Sequence, residues 1–241
     1  MIDQPHPFRG TPPDRTEYVL GQWFWFSRQA WRQALPDPGY WPTRLDDRKV
    51  EGRWPTIDRA AVFSVAAEAC DPVTSARALV AAMAWGVSTS ARERARRLRV
   101  FDVDHESTSN QLWEAVTLLR TEGAVAAYDA LHGSGSSGIK HLGPSFGTKL
   151  LYFAGYDEVR GQSRPLILDK YVTIALNMLC NVGWSPDGGW TTAQYAQYLD
   201  LADRWATDWG AEGPDVIERI LFSIGKSSPI AIASLIPPAF T

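Results

Sequence analysis

Cysteine is scarce in this chain: Cys70 and Cys180 are the only two, and they stand far apart. Two thiolates cannot complete a four-cysteine iron–sulfur site or a cysteine-rich zinc site. His6, His105, His132 and His141 show no close ligand spacing, so no structural metal is expected. Both cysteines are expected to act as small buried hydrophobes. No uninterrupted apolar run approaches the roughly 20 residues that span a bilayer. The N-terminus, MIDQPHPFRG, lacks a basic segment followed by an apolar one, so no signal peptide is expected. The cytoplasm is the expected compartment. Positive charge is also in short supply, with a formal net charge of −3. That weighs against a phosphate binder unless the basic residues are concentrated on one face. Arg92, Arg94, Arg96, Arg97 and Arg99 do cluster, either as a solvated helix face or as a phosphate-binding stripe.

What is present is apolar and aromatic. Hydrophobic residues make up 45% of the 241 positions and charged residues 21%, the balance of a globular chain. Eleven Trp are a heavy load, available for a core or for stacking on bases. Apolar spacing predicts helices over 17–35, 58–70, 73–85, 110–121, 124–131, 147–154, 169–180, 191–209 and 215–224. Within the first, Trp23, Phe24 and Trp31 are expected to face the core. Residues 1–16 read as an irregular arm, 36–56 as a long proline-containing connection, and 133–138 as a flexible Gly/Ser connector. Thr191 and Gln194 have capping-box spacing. Sustained alternation is nearly absent, so the expected class is all-α: two helical lobes formed by one domain over 17–241.

The segment 139–179 carries the chemistry. Ile139–Leu142 reads as the end of a short helix, Gly143-Pro144-Ser145-Phe146-Gly147 as a tight turn, and Thr148-Lys149 as the opening of a second helix. Such a turn aims backbone N–H groups at an anion. On a first turn, the helix dipole and burial would both favour a neutral, nucleophilic Lys149 amine; a solvated surface lysine is the alternative. Asp169 follows a Gly/Pro loop (161–165) and the apolar run Leu166-Ile167-Leu168. It is placed to cap a helix, and a carboxylate held there could also steady a cationic sugar.

This hairpin, lysine and later aspartate resemble the helix-hairpin-helix DNA glycosylase superfamily. Within it, Phe146-Gly147-Thr148-Lys149 is similar to the hairpin of 8-oxoguanine DNA glycosylases. The resemblance covers about 139–179, with a fainter echo over 79–99 around Trp85-Gly86-Val87-Ser88. Ser145 departs from it, standing where those hairpins carry glycine. The resemblance implies a helix-hairpin-helix element over about 139–156 and a catalytic Asp loop and helix over 161–180. A DNA-binding cleft would lie between the lobes. Lys149 would be the Schiff-base nucleophile and Asp169 the catalytic carboxylate.

It further implies DNA contacts by Lys140, His141, Gly143, Ser145 and Gly147, with Arg92 and Arg94 as added charge. Phe222 would stack on the base, and Trp85 would fill the gap left in the duplex; for Phe222 ordinary core packing is the alternative. The implied partner is double-stranded DNA with a damaged or modified purine, 8-oxoguanine first, met by a monomer without a cofactor on the nucleoid. Two other readings stay open. One is a non-catalytic hairpin module that binds DNA or a modified base. The other is a glycosylase for another modified base in foreign DNA, as in antiviral defence. A purely structural helical scaffold has only composition behind it. The tripeptide Gly213-Pro214-Asp215 is read simply as a helix start.

Overall fold

A computed structural model describes residue 2 and residues 4–133, 138–158 and 163–227. Most of the Gly/Ser connector and part of the loop at 161–165 lie outside the described residues.

The fold is all-α with one small sheet. Its centre is α3 (Pro72–Val87), apolar on every side, with Ala78–Trp85 all buried. A helix of that composition must be surrounded. It is packed by α2 (Arg59–Ala66), α5 (His105–Glu122) and α7 (Pro144–Gly155), and α6 (Ala124–His132) packs on α5 and α7. The second set is α8 (Lys170–Cys180), α9 (Thr192–Trp209) and α10 (Pro214–Lys226), with α10 against both others. One contiguous apolar core runs through both sets. The N-terminal arm lies along α9: the Trp205 and Trp209 indoles donate to the Gln4 and Gly10 carbonyls, at 2.8 and 2.9 Å.

The helix ends follow local chemistry. Asp71 and Thr74 form a reciprocal capping box ahead of α3, with Pro72 in the first turn. Thr191 and Gln194 do the same for α9, as their spacing predicts. Among the described residues, no helix is long and apolar enough to cross a membrane.

Three expectations are corrected. The stretch 17–35 is not one helix: a π-helical turn (Thr16–Leu20) leads into strand β1 (Trp23–Trp25) and then α1 (Arg28–Ala34). Four consecutive aromatics favour a pleated strand. β1 pairs antiparallel with β3 (Trp54–Asp58), which also pairs with β2 (Val50–Glu51). Trp31 and Phe24 do face inward, but Trp23 does not; it is 45% exposed. Second, Cys70 is exposed, at the turn before α3, and only Cys180 is half-buried. Third, no helix ends at 139–142. The turn there is at Lys140–His141, where His141 has φ 67°, and α7 begins at Pro144. Proline at N1 starts the helix earlier than its apolar residues suggest. Asp215 does more than start α10: it is fully buried and accepts from Arg15, Tyr152 and Tyr156.

Candidate active site

Lys149 is the sixth residue of α7. It therefore lies beyond the first turn, where the dipole acts most strongly, and its setting comes from packing. Gly86 of α3 faces it: a Cβ there would sit 3.0 Å from the Phe146 ring and 3.5 Å from Lys149 Cε. Glycine there lets α3 and α7 approach closely, since a Cβ would press on the Phe146 ring. The side chain is 6% exposed. Its Nζ lies 3.2 Å from Asp169 Oδ2, 3.3 Å from the Ser145 carbonyl and 5.2 Å from the Phe146 ring centroid.

Asp169 is the N-cap of α8. Its Oδ1 accepts from the Tyr171 and Val172 amides at 3.0 and 3.2 Å, leaving Oδ2 to the lysine. One carboxylate thus caps α8 and pairs with Lys149 at once. The preceding run Leu166-Ile167-Leu168 is buried and belongs to no helix or sheet, so its backbone needs side-chain partners. Thr148 Oγ1 donates to the Leu168 carbonyl and accepts from its amide, both at 3.1 Å. From α9, the Tyr195 hydroxyl donates to Leu166 O and Tyr198 to Ile167 O. Those three hydroxyls hold Asp169 in register with Lys149. The rings of Tyr195 and Tyr198 are themselves fully buried in the core.

The pair opens into a cavity of about 280 Å³, where α3 and α7 meet α8 and α10. Aromatic walls come from Phe24, Trp85, Phe146 and Phe222. Apolar walls around a few polar groups are the general form of a small-ligand site. The cavity also holds a carboxylate that the sequence did not single out, Glu218. It is bound by Arg59 at 2.6 and 3.2 Å, and Arg59 donates further to Gln22 at 2.9 Å. Burial pushes the Glu218 carboxyl above its usual range, opposed by Arg59. Glu218 and Phe222 are four residues apart on α10, one face of a helix. Arg97 also reaches the cavity, its guanidinium 4.5 Å from the Phe146 ring centroid.

The other named residues divide. Trp85 and Phe222 both reach the cavity wall. Trp85 is only 3% exposed, with its indole donating to Gln22 O at 3.0 Å, so it forms a wall and does not project. Gly143 is the N-cap of α7 and Ser145 lies in its first turn, beside Lys149. Gly147 is corrected: its amide is closed within the helix onto Gly143 O at 3.1 Å, so it does not point outward. It is glycine because a Cβ would fall 2.0 Å from His132 Nε2. Lys140 and His141 are exposed in their turn, with Arg99 3.5 Å from His141. On α4 (Ala91–Leu98), Arg92 is exposed and Arg94 half-buried. Among the described residues, no group of three His, Cys, Asp or Glu is placed to hold a metal ion.

Lys149, past the first turn of α7, thus pairs with Asp169, the N-cap of α8, beside an aromatic cavity in an all-α fold. The family comparison is specific: the model described as "Putative 8-oxoguanine DNA glycosylase OGG-like protein" matches residues 17–222. The chain belongs to this OGG-like glycosylase family. No curated protein and no solved structure gave a match.

Proposed function

We infer that this protein excises an oxidised purine, 8-oxoguanine first, from double-stranded DNA and then nicks the strand through a lysine Schiff base. The observation that carries this is the buried Lys149–Asp169 contact at 3.2 Å, opening into the aromatic cavity. The substrate nucleotide must leave the duplex to reach a cavity of this kind, at a cost of a few kcal/mol.

In the cavity, the Lys149 amine gives up a proton and attacks C1′ of the deoxyribose. The glycosidic bond breaks and its electron pair leaves with the base, which takes up the proton that Nζ releases. Asp169, fixed by two amides, stabilises the positive charge that develops on the sugar. The resulting N,O-acetal then opens to an iminium between Nζ and C1′ as the ring oxygen leaves and takes up a proton to become a hydroxyl. Loss of a C2′ proton expels the 3′-phosphate by β-elimination, and water returns the lysine. Ser145, with carbonyl and hydroxyl oxygens 3.3 and 3.4 Å from Nζ, holds the amine at the cavity mouth.

Borohydride trapping tests this directly. Incubation with an 8-oxoguanine duplex and borohydride should give a covalent protein–DNA adduct, absent in Lys149→Gln. No adduct with any of a panel of modified-purine duplexes would leave a DNA-binding protein without this chemistry. An adduct with a different modified base would redirect the substrate and keep the mechanism.

A further inference from the structure

β1 alternates as a strand must. Phe24 turns inward to the cavity wall, while Trp23 and Trp25 turn outward, 45% and 46% exposed. Among the described residues these are the exposed large aromatics; the other large exposed apolar side chains are aliphatic. At about half exposure, each indole forgoes roughly half of the ~1.5–3 kcal/mol that fully burying a large side chain gives. The two rings form an edge-to-face pair with centroids 5.3 Å apart.

The pair is also braced. β3 holds the strand from one side, and Ser88 Oγ donates to the Trp25 carbonyl at 2.8 Å. Ser88 ends α3 with φ 56°, in the turn that leads into α4. α4 then displays Arg92 and Arg96 to solvent and sends Arg97 to the cavity. One side of the molecule therefore brings together the cavity wall, an exposed aromatic pair and a cationic helix. A nucleic acid offers the matching pair of features, flat π faces and phosphates. Trp85, expected from the sequence to enter the stack, is enclosed and hydrogen-bonded.

We propose that Trp23 and Trp25 stack on the bases left beside the extracted nucleotide, with the α4 arginines on the flanking phosphates. This rests on the glycosylase reading. It assigns to β1 the role of stabilising the gapped duplex.

The test uses the full chain and a duplex containing tetrahydrofuran as an uncleavable abasic site, with an intact duplex of the same sequence. Affinity is read by fluorescence anisotropy. Trp23→Ala/Trp25→Ala should bind the tetrahydrofuran duplex about tenfold or more weakly, the loss expected for one stacking surface. Its affinity for the intact duplex should change less than about twofold, in line with a contact that needs a gap. In the unmutated protein, the exposed indoles should lose acrylamide accessibility on the tetrahydrofuran duplex, a reading independent of whether the variant folds. Unchanged affinity in the double variant, or indoles still open to acrylamide in the complex, overturns the proposal. If the unmutated protein is trapped by borohydride in either of those cases, the glycosylase reading survives alone. If it neither traps nor prefers the tetrahydrofuran duplex, both fall.

Discussion

Two buried ion pairs meet at one cavity and are built in opposite ways. Arg59–Glu218 is two-pronged, both side chains are 0–1% exposed, and the arginine is further tied to Gln22. Arginine does not release its proton in proteins, so this pair can only hold. Lys149–Asp169 makes a single 3.2 Å contact, with 6% and 13% exposure. Lysine can give up its proton and become a nucleophile. The first pair secures the wall of the site; the second supplies the amine that the proposed chemistry uses. Charge and burial are nearly shared between them, so the chemistry of the cation and the two-pronged geometry of the arginine pair make the difference.

The comparison can be broken or sharpened, the largest effect first. Lys149→Gln should lower single-turnover excision and nicking by roughly 10³-fold or more, since its amine forms the bond. Its urea midpoint should move little, because Asp169 keeps two amide partners. Arg59→Met should show the reverse pattern in stability. It strands a buried carboxylate, at a cost of about 3–5 kcal/mol, read as a drop in the urea midpoint. If Arg59→Met left stability untouched while Lys149→Gln unfolded the protein, the assignment of roles would be inverted.

Asp169→Asn keeps an N-cap oxygen but loses the charge, so excision should fall about 10²-fold with a small change in stability. Thr148→Val leaves the buried Leu168 amide and carbonyl without their partner. It should cost about 1–3 kcal/mol and lower the excision rate without changing DNA affinity.

The smallest effect lies outside both pairs. Burial pushes His132, packed on Gly147, down to about 4. A depressed folded-state value means the unfolded chain binds the proton first. Stability from this group is full above pH ~6.5, the free histidine value, and is lost as pH falls toward 4. Urea midpoints measured across that window should fall more steeply in the unmutated protein than in His132→Gln. Equal slopes would show that His132 is not enclosed.

Much of the helical frame was legible in the sequence because its signals are local. Asp71-Pro72, Thr191 with Gln194, and the apolar run of α3 each announce a helix within a few residues. The Lys149 and Asp169 candidates were legible through their motif. The region 17–35 was misread because helical segments flank the four aromatics on both sides and β3, which pairs with them, lies outside that window. Glu218 and Arg59 went unremarked because each is an ordinary charged residue in its own helix. Their meaning depends on a partner 159 positions away.

By itself, the sequence determined the all-α class, most helix starts, and the candidacy of an amine and a carboxylate 20 positions apart. Caps, prolines and apolar periodicity act over one or two turns, so they need no distant partner. The tertiary structure alone decided that the two groups touch, that Glu218 joins them in the cavity, and that Trp23 rather than Trp85 faces water. Those outcomes depend on which helices pack together, and packing is set by close fits such as Gly86 against Phe146, which no short window of sequence contains.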